Sequence, residues 1–343
     1  MKKIILVTLV AVSVTAFGVG LFYYNELAVQ AAVPRDIEDP IVQIPTGATY
    51  GEVVDLLRKR NMLGNEQLFH WLAEQMNYKR EEMRAGQFQL KPGWSMIELI
   101  RHLRGGKQEP VKVVLTTERL PENVAAKTAR FIEPDSATIW ATFQDKEVLD
   151  KLGYTPETLM SLFIPNTYQL FWTTTPEQFL ERMQAEHDKF WNDTRRAKAE
   201  VRGLSPAEVY TLASIVEKET LQDKEKTRMA GVYLNRLKQG MRLQADPTSV
   251  FARRDFNTRR VTDYHTKFDS PYNTYLYAGL PPGPIAMASI SSIDAVLGAE
   301  EHDYLYFCAV GDGTGFHNFA RTLDAHNRNA QIYRDNLRKR GLR

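Results

Sequence analysis

Two glutamates near the end of one predicted helix have the clearest capacity for acid–base chemistry in this sequence. Residues 205–220 read SPAEVYTLASIVEKET. Ser205 and Glu208 match an S-x-x-E capping box, and Pro206 suits the first helical position, so the pattern predicts that a helix begins here. The apolar residues that follow recur at helical spacing: Val209, Leu212, Ile215 and Val216.

The two glutamates lie on different sides of this predicted helix. Glu219 follows Ile215 by four residues and Val216 by three, so it shares their apolar face, whereas Glu217 points to nearly the opposite side. Apolar surroundings raise the pKa of a carboxyl, which keeps it protonated as a general acid near neutral pH. The alternative interpretation places Glu219 at the solvated rim of the face, without chemistry.

Two further segments carry residue types suited to a binding cleft. In residues 244–248, QADPT, Asp246 precedes a proline, which favours an extended or turn backbone. An Asx turn is its ordinary role. In residues 272–275, YNTY, the aromatic rings of Tyr272 and Tyr275 and the amide of Asn273 suit sugar recognition. The proline-rich loop that follows would hold them, although an ordinary rigid loop explains the same composition.

Other catalytic patterns are absent from the sequence. It contains no G-x-S-x-G, H-E-x-x-H, G-x-x-x-x-G-K-[ST] or S-x-x-K motif. His317 and His326 are nine residues apart, a spacing that does not favour a metal pair. A third candidate segment, residues 315–319, reads GFHNF, but a hairpin turn explains its glycine without function.

Composition indicates a folded protein of about two domains. The chain has 343 residues, of which 25% are charged and 43% apolar. The net charge of +2 gives no reason to expect nucleic acid as a partner. We interpret a local arginine cluster as a solvated loop, and Cys308, the single cysteine, as a core strand residue. The cluster comprises Arg253, Arg254, Arg259 and Arg260.

The N-terminus predicts a membrane segment. Lys2 and Lys3 precede an uncharged run, residues 4–24, that is about long enough to span a bilayer. Flanking lysines predict a cytoplasmic N-terminus and an external body. A cleavable signal peptide is the competing interpretation, but the run is longer than its usual apolar region and has no clean cleavage site.

The remaining pattern predicts an α+β protein. Residues 27–40 are interpreted as a linker, and residues 41–107 as a small module of short strands and three helices. Residues 121–202 are helical in pattern with an interruption near Pro165, and a helix from 223 to Gly240 follows the Ser205 helix. Residues 241–326 are expected to form loops and short strands around a site, before a final helix over 324–340.

These segments, in this order, closely resemble the MltG (YceG-like) family of membrane-anchored endolytic murein transglycosylases. The resemblance rests on the 205–220 helix, on residues 240–248 and 272–285, on the F-H-x-F segment at Phe316, and on the P-x-T-Y element at Pro165, where the family commonly has aspartate in place of Asn166. It covers nearly the whole chain. It implies an anchor at 1–26, a linker at 27–40, a LysM-like module at 41–107 and a helix-rich catalytic domain at 108–343, with short strands around a cleft.

The resemblance also implies a reaction. It would be non-hydrolytic cleavage of the β-1,4 bond between N-acetylmuramic acid and N-acetylglucosamine within peptidoglycan strands, leaving 1,6-anhydro ends. One carboxyl suffices, because the muramyl C6 hydroxyl is the nucleophile. The family's catalytic glutamate matches Glu219, in agreement with the helix-face argument, and Glu217 remains a rival. The supporting or sugar-contacting candidates are Thr220, Asp246, Tyr272, Asn273 and Tyr275.

Further expectations follow from the resemblance. No cofactor or metal is implied; peptidoglycan strands, peptidoglycan synthases and the inner membrane are the implied partners, with the catalytic body outside the cytoplasm. Two alternatives stay open. A hydrolytic muramidase would need a second carboxylate, for which Asp246 is the candidate. A non-catalytic glycan-binding scaffold would recruit wall-synthesis partners through the LysM-like module.

Overall fold

The computed structural model describes residues 2–342 and divides into two compact units. Unit 1 contains the chain up to residue 112 together with the short segments 131–133 and 169–174. Unit 2 contains the remainder of the chain, including both glutamates at the end of the Ser205 helix. The mixed, helix-rich composition agrees with the predicted α+β class.

The predicted apolar segment forms one long helix, α1 (Lys2–Tyr24). The apolar stretch Lys3–Val29 has a mean hydropathy of 2.5 and is long enough to cross a membrane. A membrane anchor and a signal sequence both have these properties. A π-helical turn, Asn25–Val29, continues the chain into the rest of unit 1.

The remainder of unit 1 is a small module in which two helices separate two paired strands. Its elements are β1 (Ile41–Ile44), α2 (Tyr50–Lys59), α3 (Glu66–Gln75), β2 (Gly86–Gln89) and α4 (Met96–Gly105). β1 and β2 are antiparallel, with Ile41 opposite Gln89 and Ile44 opposite Gly86. The segment interpreted as a linker contributes Ala32 and Val33 to the buried core of this unit.

Unit 2 is built mainly of helices. Strand β3 (Val111–Leu115) begins at the boundary of the units and pairs with β4 (Asn166–Leu170), which follows a 3₁₀ turn at Leu159–Leu162. The other elements are α5 (Pro121–Thr128), α6 (Ser136–Gln144), α7 (Lys146–Leu152), α8 (Pro176–Phe190), α9 (Asp193–Val201), α10 (Pro206–Glu219), α11 (Asp223–Lys238), α12 (Asp246–Arg253), α13 (Asp263–Thr266), α14 (Ile290–Leu297), β5 (Tyr306–Ala309), β6 (His317–Ala320) and α15 (Leu323–Lys339).

Helix α10 is the central helix of unit 2. Its capping box is present: the Ser205 Oγ accepts from the Glu208 N–H, and the Glu208 carboxylate accepts from the Ser205 N–H. Every residue from Val209 to Val216 is buried, so the helix is enclosed on all sides rather than along one apolar stripe. Its first turn is exposed and its last turn is partly exposed, and this last turn carries both glutamates.

The expectation of loops and short strands over residues 241–326 is wrong in part. The structure forms helices α12, α13 and α14 there, in addition to the antiparallel hairpin of β5 and β6. Asp246 is the first residue of α12 rather than part of an extended loop, because Pro247 is tolerated in the first helical turn. Cys308 does lie in a strand, β5, but it is only half-buried.

Candidate active site

Helix α10 ends at a cleft in unit 2. The cleft has a volume of about 460 Å³ and is lined by the carboxyl-bearing Glu219 and Asp246. Glu219 is the last residue of α10, and Asp246 opens α12. The structure therefore brings together two acids that are 27 positions apart in the chain, which the sequence motifs alone could not establish.

The carboxyl of Glu219 is held by one buried hydroxyl. Tyr233 Oη, from α11, donates a hydrogen bond of 2.7 Å to Glu219 Oε1. Burial raises the pKa of Glu219 to about 7, the hydrogen bond from Tyr233 opposes this rise, and the nearby charge of Asp246 adds to it. A carboxyl with this pKa is protonated for much of the time at neutral pH, as a general acid requires.

The ring of Tyr233 packs against the hairpin of β5 and β6. Its ring is fully buried and meets Phe307 of β5 edge-to-face, with ring centroids 5.7 Å apart. Phe307 in turn packs against His317 of β6, whose Nδ1 lies 3.0 Å from a carboxylate oxygen of the buried Glu225. The F-H-x-F segment therefore supports the tyrosine that contacts Glu219, a role the sequence did not suggest.

The second acid of the cleft has its own tyrosine. Tyr275 Oη donates a hydrogen bond of 2.5 Å to Asp246 Oδ1, and Asp246 is exposed to solvent. Burial, together with this hydrogen bond, raises the pKa of Tyr275 above its usual value, so Tyr275 stays a proton donor. The predicted residues Glu219, Asp246 and Tyr275 therefore meet at one place in the fold.

Two buried threonines join the two predicted loop segments. Thr248 Oγ1 and Thr274 Oγ1 lie 2.8 Å apart, and the backbone N–H of Ala245 donates to Thr274 Oγ1 at 3.1 Å. Gln244, whose φ of 49° is in the left-handed region, donates its N–H to the carbonyl of Thr274. These bonds set the position of Asp246 relative to Tyr275.

Asn273 is completely buried and acts within the protein. Its Nδ2 donates to the carbonyls of His265, Thr266 and Phe268, and its Oδ1 accepts from the N–H of Tyr275. Since both ends of the amide are engaged, Asn273 orders the loop that carries Tyr275 and has no free group for a sugar.

Thr220 is also buried. Its hydroxyl accepts from the N–H of Gln222 and shapes the exit from α10. The structure therefore places Thr220 behind the end of the helix that carries Glu219.

Tyr272 lies apart from the two acids. It lines a neighbouring cleft of about 520 Å³ in unit 2, where its ring packs on Phe251 with centroids 4.7 Å apart. Trp140 and Pro284 line the same cleft, and Arg119 lines both clefts. Tyr272 is thus placed to contact a part of a long ligand away from Glu219.

Glu217 is embedded in a different network. It accepts hydrogen bonds from Ser289, the N-cap of α14, and from Ser292 at 2.5 Å, and it pairs with the buried Lys226 at 3.3 Å. Burial opposes ionisation, but these donors outweigh it and lower the pKa of Glu217. Glu217 is therefore a partly buried carboxylate that joins α10 to α14 and whose lowered pKa favours the ionised form, rather than a surface residue.

The structure also brings cations to the Glu219 cleft that the sequence did not assign there. Arg259 and Arg260, interpreted from sequence as part of a solvated loop, line this cleft with Arg119 and Lys218. A run of arginines gives no indication of which of its members face a cleft. Sequence patterns also did not assign Tyr233 to the site. One signal was present, because a tyrosine on the apolar face of a helix requires a hydrogen-bond partner for its hydroxyl.

The chain is similar to proteins of one family over most of its length. The YceG-like family model matches residues 42–332. An endolytic murein transglycosylase of Bacillus subtilis is 27% identical over 92% of this chain and 90% of its own. One of Streptococcus pneumoniae is 28% identical over 96% of this chain, which spans 64% of that relative.

A solved structure shows the same likeness. The crystal structure of a YceG-like protein from Listeria monocytogenes is 28% identical, with a TM-score of 0.56, and the match covers 84% of this chain and 97% of that one. Since the family model alone spans far more than half of the sequence, the chain belongs to the YceG-like family.

Proposed function

We propose that this protein is an endolytic murein transglycosylase, a lyase acting on the glycan strands of peptidoglycan. The name of its relatives supports this reaction class. The observation that carries the proposal is the carboxyl of Glu219, which lines a cleft, has a pKa raised to about 7 and receives a hydrogen bond from Tyr233. A carboxyl with these properties can donate a proton and then take one back.

In the proposed mechanism Glu219 is the catalytic residue. Its protonated carboxyl donates to the glycosidic oxygen between N-acetylmuramic acid and N-acetylglucosamine as that bond breaks. The C6 hydroxyl of the muramyl sugar then attacks its own anomeric carbon, and the Glu219 carboxylate takes the C6 proton. The products are a 1,6-anhydro-muramyl end and a free 4-hydroxyl, with no water consumed. Tyr233 stabilises the transient carboxylate by its hydrogen bond.

The remaining site residues have supporting roles in this proposal. Tyr275 and Asp246 form a polar wall of the cleft, and Tyr272 offers a ring face to a more distant sugar. Thr220 and Asn273 position the helix end and the loop. A second cleft beside the Glu219 cleft suits internal cleavage, because an endolytic enzyme must bind glycan on both sides of the scissile bond.

We further propose the setting of this activity. The long helix α1 anchors the protein in the inner membrane with its N-terminus in the cytoplasm, and the rest of the chain acts outside, where it ends or trims strands beside peptidoglycan synthases. Residues 41–107 form a LysM-like module; the order strand, helix, helix, strand supports this assignment.

The test is mass spectrometry of the soluble products after the full-length chain, in detergent, digests purified peptidoglycan. Wild type and Glu219→Gln are compared, since glutamine has nearly the same shape but cannot transfer the proton. We expect anhydro-muramyl ends from wild type and a loss of rate of about 10²-fold or more in the variant. Reducing muramyl ends would instead mean hydrolysis, and an active Glu219→Gln would remove Glu219 from the mechanism.

A further inference from the structure

The Glu219 cleft carries a concentration of positive charge that the proposed bond cleavage does not use. Four basic side chains line it, Arg119, Lys218, Arg259 and Arg260, against two acids, Glu219 and Asp246. The whole sequence has a net charge of only +2. The cationic character is therefore local to the cleft.

These basic groups are not neutralised by the protein. None of the four forms an ion pair with an acidic side chain within residues 2–342. The guanidinium of Arg119 lies over the ring of Phe256, 4.8 Å from its centroid. A structural arginine would ordinarily pair with a carboxylate instead. By contrast, Arg254 nearby is paired with Glu122.

Two of the cations are held close enough to repel each other. Burial, with added repulsion from Arg119, lowers the pKa of Lys218, and the charges of Glu217 and Glu118 offset this only in part; burial also lowers the pKa of Arg119. Like charges that no direct ion pair balances are unfavourable at a partly buried site, and a bound anion would stabilise them. The cleft thus has the electrostatic character of an anion site beside the catalytic carboxyl.

The ligand that the proposed function brings here supplies such anions. The muramyl sugar that contributes the attacking hydroxyl must lie against Glu219, and its lactyl group carries the stem peptide, which bears free carboxylates. We infer that Arg119, Lys218, Arg259 and Arg260 bind carboxylates of the stem peptide on the muramyl residue at the scissile bond, so that the enzyme prefers strands whose peptide carboxylates are ionised over strands in which they are amidated. This inference rests on the proposed function.

The kinetic test compares two preparations of the same glycan strands. One keeps the free carboxylates of its stem peptides and in the other these carboxylates are amidated, and the full-length chain in detergent digests both. We expect Arg259→Gln and Arg260→Gln each to raise KM for strands with free carboxylates about two- to fivefold, and the double variant about tenfold, since exposed charge pairs are individually weak. Amidated strands should show no such change, and added salt should weaken the preference.

A control variant and a binding measurement separate the outcomes. Arg328→Gln removes an exposed arginine of α15 outside the cleft and should leave both substrates unaffected. Titration calorimetry of the Glu219→Gln protein would compare a disaccharide-peptide with the same molecule carrying amidated carboxylates, and amidation should weaken binding about tenfold.

Equal cleavage of both strands with equal binding of both ligands would overturn the inference. If wild type cut neither strand, the proposed function would fail, while the calorimetry would still decide whether the cleft recognises the peptide carboxylates.

Discussion

The hydroxyl of Tyr233 donates to Glu219 Oε1 at 2.7 Å, across the junction of helices α10 and α11. Tyr233 is completely buried, whereas Glu219 is partly exposed where it lines the cleft, and the Tyr233 hydroxyl is the side-chain hydrogen-bond partner of its carboxyl. Its strength depends on the charge of the carboxyl, because a hydroxyl binds an ionised acceptor more strongly than a neutral one. The tyrosine therefore sets how readily Glu219 loses and regains its proton.

The first prediction concerns the pH dependence of turnover. An acid with a pKa of about 7 must be protonated to act, so kcat/KM should fall as pH rises through about 7. Tyr233→Phe removes a bond that lowers the pKa of Glu219, and this limb should therefore move to higher pH by about one unit. Rates from pH 5 to pH 9 measure the shift.

Tyr210→Phe is the matched control for that variant. Tyr210 is equally buried, but its hydroxyl donates to the carbonyl of Phe163 and accepts from the N–H of Ala288, so neither partner is an acid. The variant should lose about 1 kcal/mol of stability and leave the pH limb in place. A limb that stays fixed in Tyr233→Phe, or moves to lower pH, would contradict the assigned role of the bond.

The second prediction is a pH-dependent gain in stability for Glu219→Gln. The folded pKa of about 7 lies above the ordinary glutamate value of 4.5, so between these pH values the folded state holds a proton that the unfolded state has lost. Wild-type stability from this group is fully present below pH 4.5 and is lost as pH rises through 7. Glu219→Gln has no carboxyl to ionise, so it avoids this loss of folding free energy, which amounts to roughly 3 kcal/mol above pH 7.

Thermal unfolding at two pH values measures that gain. The melting temperature of Glu219→Gln should exceed that of wild type at pH 8.5 by several degrees, and by much less at pH 5. A difference of equal size at both pH values would show that the carboxyl is not buried with a raised pKa.

The third prediction assigns Glu217 to stability. Glu217→Gln should lower the free energy of unfolding at pH 7 by about 1–3 kcal/mol, because Lys226 and two serines lose an ionised partner. The pKa of Glu217 is lowered in the folded state, so its contribution is present above the unfolded pKa and is lost as pH falls through the folded one.

Melting curves at pH 7 and pH 3.5 provide the measurement, and the variant's disadvantage should shrink at the lower pH. Asp223→Asn is the control, since Asp223 pairs with the same lysine at 2.8 Å but is largely exposed. The products of any remaining activity should be those of wild type. Loss of turnover in a fully folded Glu217→Gln protein would argue that Glu217 is the acid.

The fourth prediction concerns the proline-rich loop. A Cβ at Gly283 would lie 1.9 Å from the carbonyl oxygen of Glu157, so Gly283→Ala must displace backbone and should destabilise unit 2 by about 3 kcal/mol or more. Gly51→Ala is the matched control, because that position in α2 has open space and alanine favours a helix by about 0.5–1 kcal/mol. If Gly283→Ala had the same melting temperature as wild type, the loop would not be tightly packed.

Sequence patterns predicted the elements whose signals are local. The apolar run became α1, the capping box and proline marked the start of α10, and the strands of unit 1 formed where short apolar runs end at turn residues. Helix spacing also singled out Glu219. These features depend on residues within one or two turns of each other, so they can be read without knowledge of the fold.

Only the tertiary structure decided what surrounds each acid. Glu217 and Glu219 are two residues apart in a single helix, yet one receives serine hydroxyls and an ammonium from α14 and α11, and the other receives one tyrosine hydroxyl at the wall of a cleft. Their opposite pKa shifts follow from those distant partners. Similarly, helices α12 and α14 and the cations of the cleft depend on long-range packing, which overrides the local loop-like composition.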